Sequence, residues 1–363
     1  MSKLIVCTGT LAAGGAERVL SILSQPFADA FDEVQYVMWL DAKYPNIFYE
    51  IDPRVKIVRI SKECGSTSTW RQMLWFRRYV KREKPDVVLS FMIVLCFTVT
   101  ISLLFSEIKQ VVALRNDPNC MKRKILRWLA TCSFYAPDVK GILIQTLSIR
   151  DFFKDKKSLY KKTKVIYNPI ILDEDLVGAA ISHSKKNMVV SVGRLCPQKQ
   201  PLILLEAFAE FCKMHPTYNL TFFGEGELDN KIYSCAKHLG IDDKVILAGR
   251  SKNAIKEILS AQIFIMTSMC EGMSNALLEA MSIGLPCIST KVSGAKDLIV
   301  DGDNGYLVDI GDVNKVAEKL SLLADDEEKR VKMGKRASLL YHELSSSKIS
   351  VIWVDYLKTI AAI

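Results

Sequence analysis

Two glutamates, Glu271 and Glu279, stand with seven residues between them in Glu271-Gly-Met-Ser-Asn275-Ala-Leu-Leu-Glu279. Ser274 is placed to cap a helix that begins at Asn275. Amides of that first turn, from Asn275 through Ala276 and Leu277, would point the same way as Glu271, so the segment offers an anion site beside a carboxylate. Glu279 would follow about one and a half turns into the helix. Leu277, Leu278 and Ala280 around it argue for a buried element rather than an exposed one. A second group lies in Gly193-Arg194-Leu195-Cys196-Pro197-Gln198-Lys199, directly after an apolar run. Two cations on one loop at a strand's carboxyl end suit a diphosphate, with Arg194 forking across oxygens and Lys199 acting as a point charge. Alone, the pair would serve equally well as solvated surface charge. A third group is Gly14-Gly15-Ala16-Glu17-Arg18, between a first strand and a first helix. Glycines there admit a ligand to the backbone, and the helix start supplies N–H groups and a positive dipole end. The spacing is not G-x-G-x-x-G, so the dinucleotide fingerprint is not met, and a ligand-free tight turn is the competing reading.

The elements that position these groups follow from periodicity. Apolar runs at Leu4–Thr10, Val34–Leu40, Val55–Ile60, Val87–Phe91, Val111–Leu114, Gly141–Gln145 and Lys164–Tyr167 read as strands, with helices from Ala16 to about Ser24 and over Trp70–Lys84. Asn168-Pro169 stops regular structure, because a residue before proline is pushed out of the helical region. Residues 171–186 read as a polar linker. The pattern then repeats, with strands at Met188–Val192, Leu220–Phe223, Lys244–Leu247, Ile263–Thr267, Pro286–Ser289 and Tyr306–Val308, and helices between them. Alternating β and α with apolar strands means parallel sheets covered by helices on both faces. The expected architecture is α/β: two doubly wound parallel-sheet lobes, 1–170 and 187–345, facing a cleft, with a C-terminal helix over about 346–363 packed back on the first. Ligands of such sheets bind beyond the carboxyl ends of the strands.

Composition bounds the partners. The chain has 363 residues, 49% apolar and 25% charged, ordinary values for a two-domain globular protein. Residues 1–168 carry 27 Lys and Arg against 15 Asp and Glu, whereas residues 169–363 carry 22 against 25. A basic first lobe suggests an anionic partner. None of the ten cysteines forms a C-x-x-C pair, so reduced thiols packed as small apolar residues are expected. Met1-Ser-Lys3 runs directly into Leu4–Thr8, too short for a signal-peptide core, so a cytoplasmic chain is expected. Val87–Ser106 is uncharged over 20 residues, long enough to cross a bilayer, yet a buried strand followed by a buried helix accounts for every residue of it. Asp173-Glu174-Asp175 and Asp301-Gly302-Asp303 are D-x-D pairs in a linker and a turn, and read as solvated charges.

The two glutamates resemble the E-x7-E element of family 4 glycosyltransferases, retaining enzymes of the two-lobed GT-B fold. Tyr167-Asn168-Pro169, Gly193-Arg194 with Lys199, Gly224-Glu225-Gly226, Gly294-Ala295-Lys296-Asp297 and Asp303-Asn304-Gly305 fall in the family's order along nearly the whole chain. The nearest resemblance is to bacterial enzymes that extend lipid-diphosphate-linked oligosaccharides or other surface polysaccharides, such as capsule or lipopolysaccharide. The resemblance implies that Gly14 and Gly15 approach the diphosphate of a nucleotide sugar, with a UDP-sugar as the expected donor. Arg194 and Lys199 would neutralise that diphosphate as it leaves. Glu271 would hold hydroxyls of the sugar, Glu279 the ribose, and the amides near Ser274, Asn275, Ala276 and Leu277 the phosphate or sugar. Arg250 would lie by the base. Many relatives carry a first-lobe histidine near the sugar; here all four histidines lie in the second half, at 183, 215, 238 and 342, so Arg115 or Asn116 is expected to face the sugar instead. No metal and no cofactor are expected.

The implied activity is transfer of a hexosyl or N-acetylhexosaminyl group to a lipid-linked or soluble glycan. A nucleotide-sugar epimerase of the same fold and an inactive assembly scaffold are the alternatives. Trp70–Arg82 and Met121–Leu129 mix Lys and Arg with Trp and Leu at helical spacing, as interfacial helices do, although ordinary amphipathic helices share the pattern. An anionic membrane surface is therefore an expected partner. Nucleic acid is not, because no recognised motif accompanies the charge.

Overall fold

The computed structural model describes residues 1–251 and 253–362. The chain divides into two compact units, Met1–Pro169 with the C-terminal segment from Ser346, and Ile170–Ser345. In the first, β1 (Lys3–Thr8), β2 (Glu33–Met38), β3 (Lys56–Arg59), β4 (Val87–Phe91), β5 (Gln110–Leu114), β6 (Val139–Ile144) and β7 (Thr163–Val165) form one sheet in the order β3-β2-β1-β4-β5-β6-β7. Every pairing is parallel. All residues of β4 and β5 are buried, as strands covered on both faces must be. The order reverses between β1 and β4, which marks where a doubly wound sheet opens to ligands.

The uncharged stretch 87–106 is β4 followed by the helix Ile93–Ser102, and no helix among the described residues is long and apolar enough to cross a membrane. The first helix continues past Ser24 to Ala30 with Pro26 inside it. Val19, Leu20, Leu23 and Phe27 are all buried at helical spacing, and their packing outweighs the one ladder bond that proline removes.

The C-terminal helix Ser346–Ala361 packs on the first helix. Its Trp353 is fully buried, edge-on to Phe27 at 6.4 Å and stacked on Phe91 at 5.8 Å. Gly141 of β6 makes room for the same helix, since a Cβ there would lie 2.1 Å from the Tyr356 hydroxyl.

In the second unit, β8 (Met188–Val192), β9 (Asn219–Phe223), β10 (Val245–Gly249), β11 (Ile263–Met266), β12 (Cys287–Thr290) and β13 (Tyr306–Val308) take the order β10-β9-β8-β11-β12-β13, again all parallel. Here the reversal falls between β8 and β11. Phe208, Phe211, Leu220, Phe222, Ile263 and Leu320 sit in its core. Residues 171–186, read as a linker, carry a 3-10 turn at Glu174–Leu176 and a short helix at Ala179–Ser182. They pack onto this unit: Gly178 and Ala180 donate to the carbonyls of Ser282 and Ile283 at 3.0 and 2.8 Å, and Ala180 is fully buried. Among the described residues eight of the ten cysteines carry free thiols, and Cys7, Cys96, Cys212 and Cys287 among them are buried; Cys120 and Cys270 do not, so the expectation of reduced thiols holds for eight.

Candidate active site

The strand reversal of the second unit gathers three of the charged residues singled out above. Arg194 follows β8, Lys199 ends the same loop, and Glu271 lies in the loop after β11. Lys199 Nζ is 2.5 Å from Glu271 Oε1, with side chains only 22% and 12% exposed. Ser268 Oγ donates to the same carboxylate oxygen at 3.2 Å. The two loops are tied by Gln198 Nε2 donating to the Cys270 carbonyl at 2.6 Å and by the Met269 amide donating to the Gln198 carbonyl at 2.8 Å. Thr267 Oγ1 adds bonds to the carbonyls of Lys199 and Gln200, both at 3.1 Å. Arg194 is exposed and makes no side-chain hydrogen bond or ion pair among the described residues. Arg194, Lys199, Thr267 and Ser268 line a cavity of about 10 Å³, roughly room for one water. One cation is thus committed to a carboxylate and the other is open to a ligand.

Glycines hold the Arg194 loop in place. The Gly193 amide donates to the Phe223 carbonyl at 2.9 Å, and the Leu195 amide to the Glu225 carbonyl at 3.1 Å. Gly224 has φ +148°, and a Cβ on it would stand 1.9 Å from the Gly193 carbonyl oxygen; one on Gly226 would stand 2.1 Å from that of Leu195. Two backbones meet there with no room for a side chain. Gly224 also donates to the Gly249 carbonyl at 2.8 Å, which sets Arg250 beside this loop with its Nε 3.3 Å from Glu225 Oε2.

The helix Asn275–Ser282 begins as its sequence demands. Ser274 is extended and its hydroxyl accepts from the Leu277 amide at 3.4 Å. Asn275 and Ala276 are half-exposed in the first turn, Leu277 and Leu278 are buried, and Glu279 is half-buried one turn on. A second helix start, Ser293–Leu298, presses on the Glu271 loop. A Cβ on Gly294 would lie 2.2 Å from the Gly272 carbonyl oxygen, so only glycine allows the approach. The amide-rich end of Asn275–Ser282, the Lys199–Glu271 pair and Arg194 therefore lie along one carboxyl edge.

In the first unit, Gly14 is the extended residue before the helix Gly15–Ala30, and its carbonyl accepts from Arg18 at 3.0 Å. Gly15 is exposed at the helix start. Glu17 accepts from Thr10 Oγ1 at 2.8 Å, closing the loop that leaves β1. Arg115, at the carboxyl end of β5, is only 6% exposed. Its Nη2 donates to Asn168 Oδ1 at 2.5 Å and, with the Gln145 amide turned to satisfy its neighbours, to Gln145 Oε1 at 2.9 Å. The guanidinium lies over the Phe91 ring at 5.5 Å and the Trp353 ring at 6.0 Å. Burial pushes it down to about 9, against the opposing charge of Glu17. Of the two side chains of which one is expected to face a sugar, Arg115 is packed under the C-terminal helix and bonded to Asn168, and Asn116 is exposed.

Positioning roles for Gly224, Gly226 and Gly294 escaped the sequence reading. Their only signal was membership in a family-like motif. Of the D-x-D residues, Asp301 accepts from the Leu307 amide at 2.8 Å and Asp303 lies 3.7 Å from Arg336, while Asp173–Asp175 fall in the 3-10 turn region. Among the described residues no three His, Cys, Asp or Glu side chains are gathered to hold a metal ion.

Two doubly wound parallel sheets, with cations and a capped helix start on the carboxyl edge of the second, define the GT-B class. Residues 176–339 match the family described as glycosyl transferases group 1. The chain is a glycosyltransferase of the GT-B fold, and its second unit carries the group 1 domain. It is 27% identical, over all of its length and 99% of the relative's, to the Campylobacter jejuni GalNAc-α-(1→4)-GalNAc-α-(1→3)-diNAcBac-PP-undecaprenol α-1,4-N-acetyl-D-galactosaminyltransferase. A second C. jejuni protein, N-acetylgalactosamine-N,N'-diacetylbacillosaminyl-diphospho-undecaprenol 4-α-N-acetylgalactosaminyltransferase, is 25% identical over 98% of this chain and 100% of its own. The crystal structure of Anabaena HepE in complex with UDP and glucose shares the fold, with a TM-score of 0.80 at 18% identity over 99% of this chain and 100% of that one.

Proposed function

We propose that this glycosyltransferase moves a sugar, with retention at the anomeric carbon, from a UDP-sugar to a growing glycan on a lipid diphosphate, in the assembly of a bacterial oligosaccharide or surface polysaccharide. The observation that carries the reading is the edge where Arg194, the Lys199–Glu271 pair and the start of Asn275–Ser282 lie together. The bond from the sugar's anomeric carbon to the diphosphate oxygen breaks, one to the acceptor's hydroxyl oxygen forms, and that hydroxyl's proton is released as the nucleotide diphosphate departs. Negative charge then grows on the diphosphate, where Arg194, Lys199 and first-turn amides are already in place. Fixed charges aimed at developing charge need no reorganisation, which is the largest common source of catalysis. Glu271 holds sugar hydroxyls, and its partner Lys199 balances its charge when no donor is bound. Glu279 holds the ribose, and Arg250 lies by the base.

Both C. jejuni relatives have N-acetylgalactosaminyltransferase names with undecaprenol-linked acceptors, which supports an N-acetylhexosamine donor and a lipid-linked acceptor here. The enzyme would then work as a peripheral protein on the inner face of the plasma membrane. The test is incubation with a panel of nucleotide sugars and an undecaprenyl-diphosphate glycan, with product anomer read by proton NMR. An α-linked product from a UDP-α-sugar is expected. Epimerised nucleotide sugar without transfer, or no turnover of any donor, would overturn the reading in favour of the epimerase or the scaffold.

A further inference from the structure

We propose that the outer face formed by the helices Thr69–Glu83, Ile93–Ser102 and Lys124–Ser133 is the surface by which the protein docks on an anionic bilayer. This deepens the membrane part of the reading above by naming the surface, and it does not depend on which sugar is moved.

Three observations carry it. First, the middle helix packs against both others, so the three outer faces are neighbours. Second, those faces are apolar where a surface helix is ordinarily polar. Ile125 and Trp128 are 76% and 64% exposed, with Leu129 beside them at the next helical step. On the middle helix Val94 and Ile101 are exposed, Phe105 beyond it is 76% exposed, and Trp70 and Leu74 continue the face on the first. Singly exposed apolar residues mean little, but a run of them across adjacent helices marks a contact surface.

Third, the charge along the third helix has one sign, whereas Glu107, two residues past Phe105, is an exposed acid. From Pro118 to Tyr135 the chain holds Lys122, Arg123, Lys124 and Arg127 and no acid. Arg127 is engaged with the Pro118 and Asn119 carbonyls at 3.4 and 3.3 Å, but Lys122, Arg123 and Lys124 are exposed. Arg71, Arg78 and Lys81 add exposed or half-exposed charge along Thr69–Glu83. Arg77 does not contribute, because it donates to the carbonyls of Ser102 and Leu104 at 3.0 and 2.9 Å and caps the middle helix.

An apolar stripe of Trp, Ile and Leu with a basic border fits the interface of an anionic membrane, where apolar side chains enter the headgroup boundary and cations meet lipid phosphate. In the chain, Lys122, Arg123 and Lys124 fall between the carboxyl end of β5 and the turn of helix that carries Ile125 and Trp128. A phosphate held at the bilayer surface by them is thus held on the ligand-binding side of the sheet.

Vesicles of phosphatidylcholine with and without phosphatidylglycerol test this in the absence of donor. Wild-type protein should sediment only with the anionic vesicles, and high salt should release it. Brominated acyl chains should quench its fluorescence, and Trp128→Phe should remove much of that quenching. Replacing Lys122, Arg123 and Lys124 with Gln should weaken binding on the order of a hundredfold, from roughly fivefold per basic residue at a membrane surface. Ile125→Glu with Trp128→Glu should abolish binding without changing the melting temperature or donor hydrolysis, whereas Met214→Glu, equally exposed on the second unit, should bind like wild type.

Failure of wild type to bind anionic vesicles would overturn the proposal. So would binding that survives the Ile125 and Trp128 changes, or a dimer in solution that those changes break into monomers, since the face would then be covered by a second copy. Because no turnover is needed, a protein that binds vesicles but transfers nothing would sink the proposed function and leave this inference standing.

Discussion

Replacing Gly224 by Ala tests whether the two loops at the second strand reversal position the cation that meets the diphosphate. The new Cβ would fall 1.9 Å from the Gly193 carbonyl oxygen, and neither the Cβ, fixed by its own backbone, nor that backbone oxygen can rotate away. Reaching ordinary contact, at 3.4 Å, requires the Gly193–Leu195 loop to withdraw by about 1.5 Å. Misplacement of a catalytic group by about 1 Å can cost on the order of a hundredfold in rate, so kcat should fall by about that factor. The φ of +148° adds strain of order 1–3 kcal/mol, which should appear as a lower melting temperature. Gly240→Ala separates the two effects, because Gly240 has φ +67° but open space around its Cβ position. It should lower the melting temperature and leave kcat unchanged. The assay is nucleotide release at saturating donor, on protein shown to be folded by its melting curve. Wild-type kcat in folded Gly224→Ala, or an equal loss of kcat in Gly240→Ala, would refute the reasoning.

Other outcomes follow from the same structure. Lys199→Ala and Glu271→Gln should each lower turnover, and the double variant should lose much less than the product of the two, because residues acting as one unit are not additive; full multiplicativity in a double-mutant cycle would show that the 2.5 Å contact plays no part in the working enzyme. Glu279→Ala should weaken binding of the free nucleotide by about 1.5–3 kcal/mol, the worth of a hydrogen bond to a charged group, as read by calorimetry. At the other edge of the first sheet, Lys3 lies 2.5 Å from Glu83 and 2.8 Å from Glu33, and the Lys3 bond holds the Glu83 carboxyl below its usual 4.5. A carboxylate depressed in the folded state stabilises above its unfolded value and loses that contribution as pH falls through the folded one. Glu83→Gln should therefore be less stable than wild type near neutrality, and the gap should close as pH drops below about 4.5 in urea unfolding.

Periodicity carried most of the elements. Strands such as Val87–Phe91, Met188–Val192 and Tyr306–Val308 appear with the bounds that their apolar runs and flanking breakers mark. Propensity failed at Pro26, where buried Phe27 keeps the helix going, and at 171–186, whose polar residues hide the backbone bonds that fasten them to the second unit. At the site, the cap at Ser274 and the charged loops were legible because their signals are local. The fate of Arg115 was not: its partner Asn168 lies 53 residues away and its aromatic cover comes from Trp353. The same holds for Gly224 and Gly294, whose necessity rests on backbone that only the fold brings near.

The most direct test of the catalytic account is turnover of the best UDP-sugar donor by Arg194→Ala, with nucleotide affinity and melting temperature measured on the same protein. Arg194 is exposed and makes no side-chain hydrogen bond or ion pair among the described residues, so its removal should leave the fold intact. The account predicts that kcat falls on the order of 10²–10³, the scale for losing one stabiliser of developing charge, while UDP still binds. Turnover equal to wild type in the folded variant would contradict it and place the leaving diphosphate elsewhere.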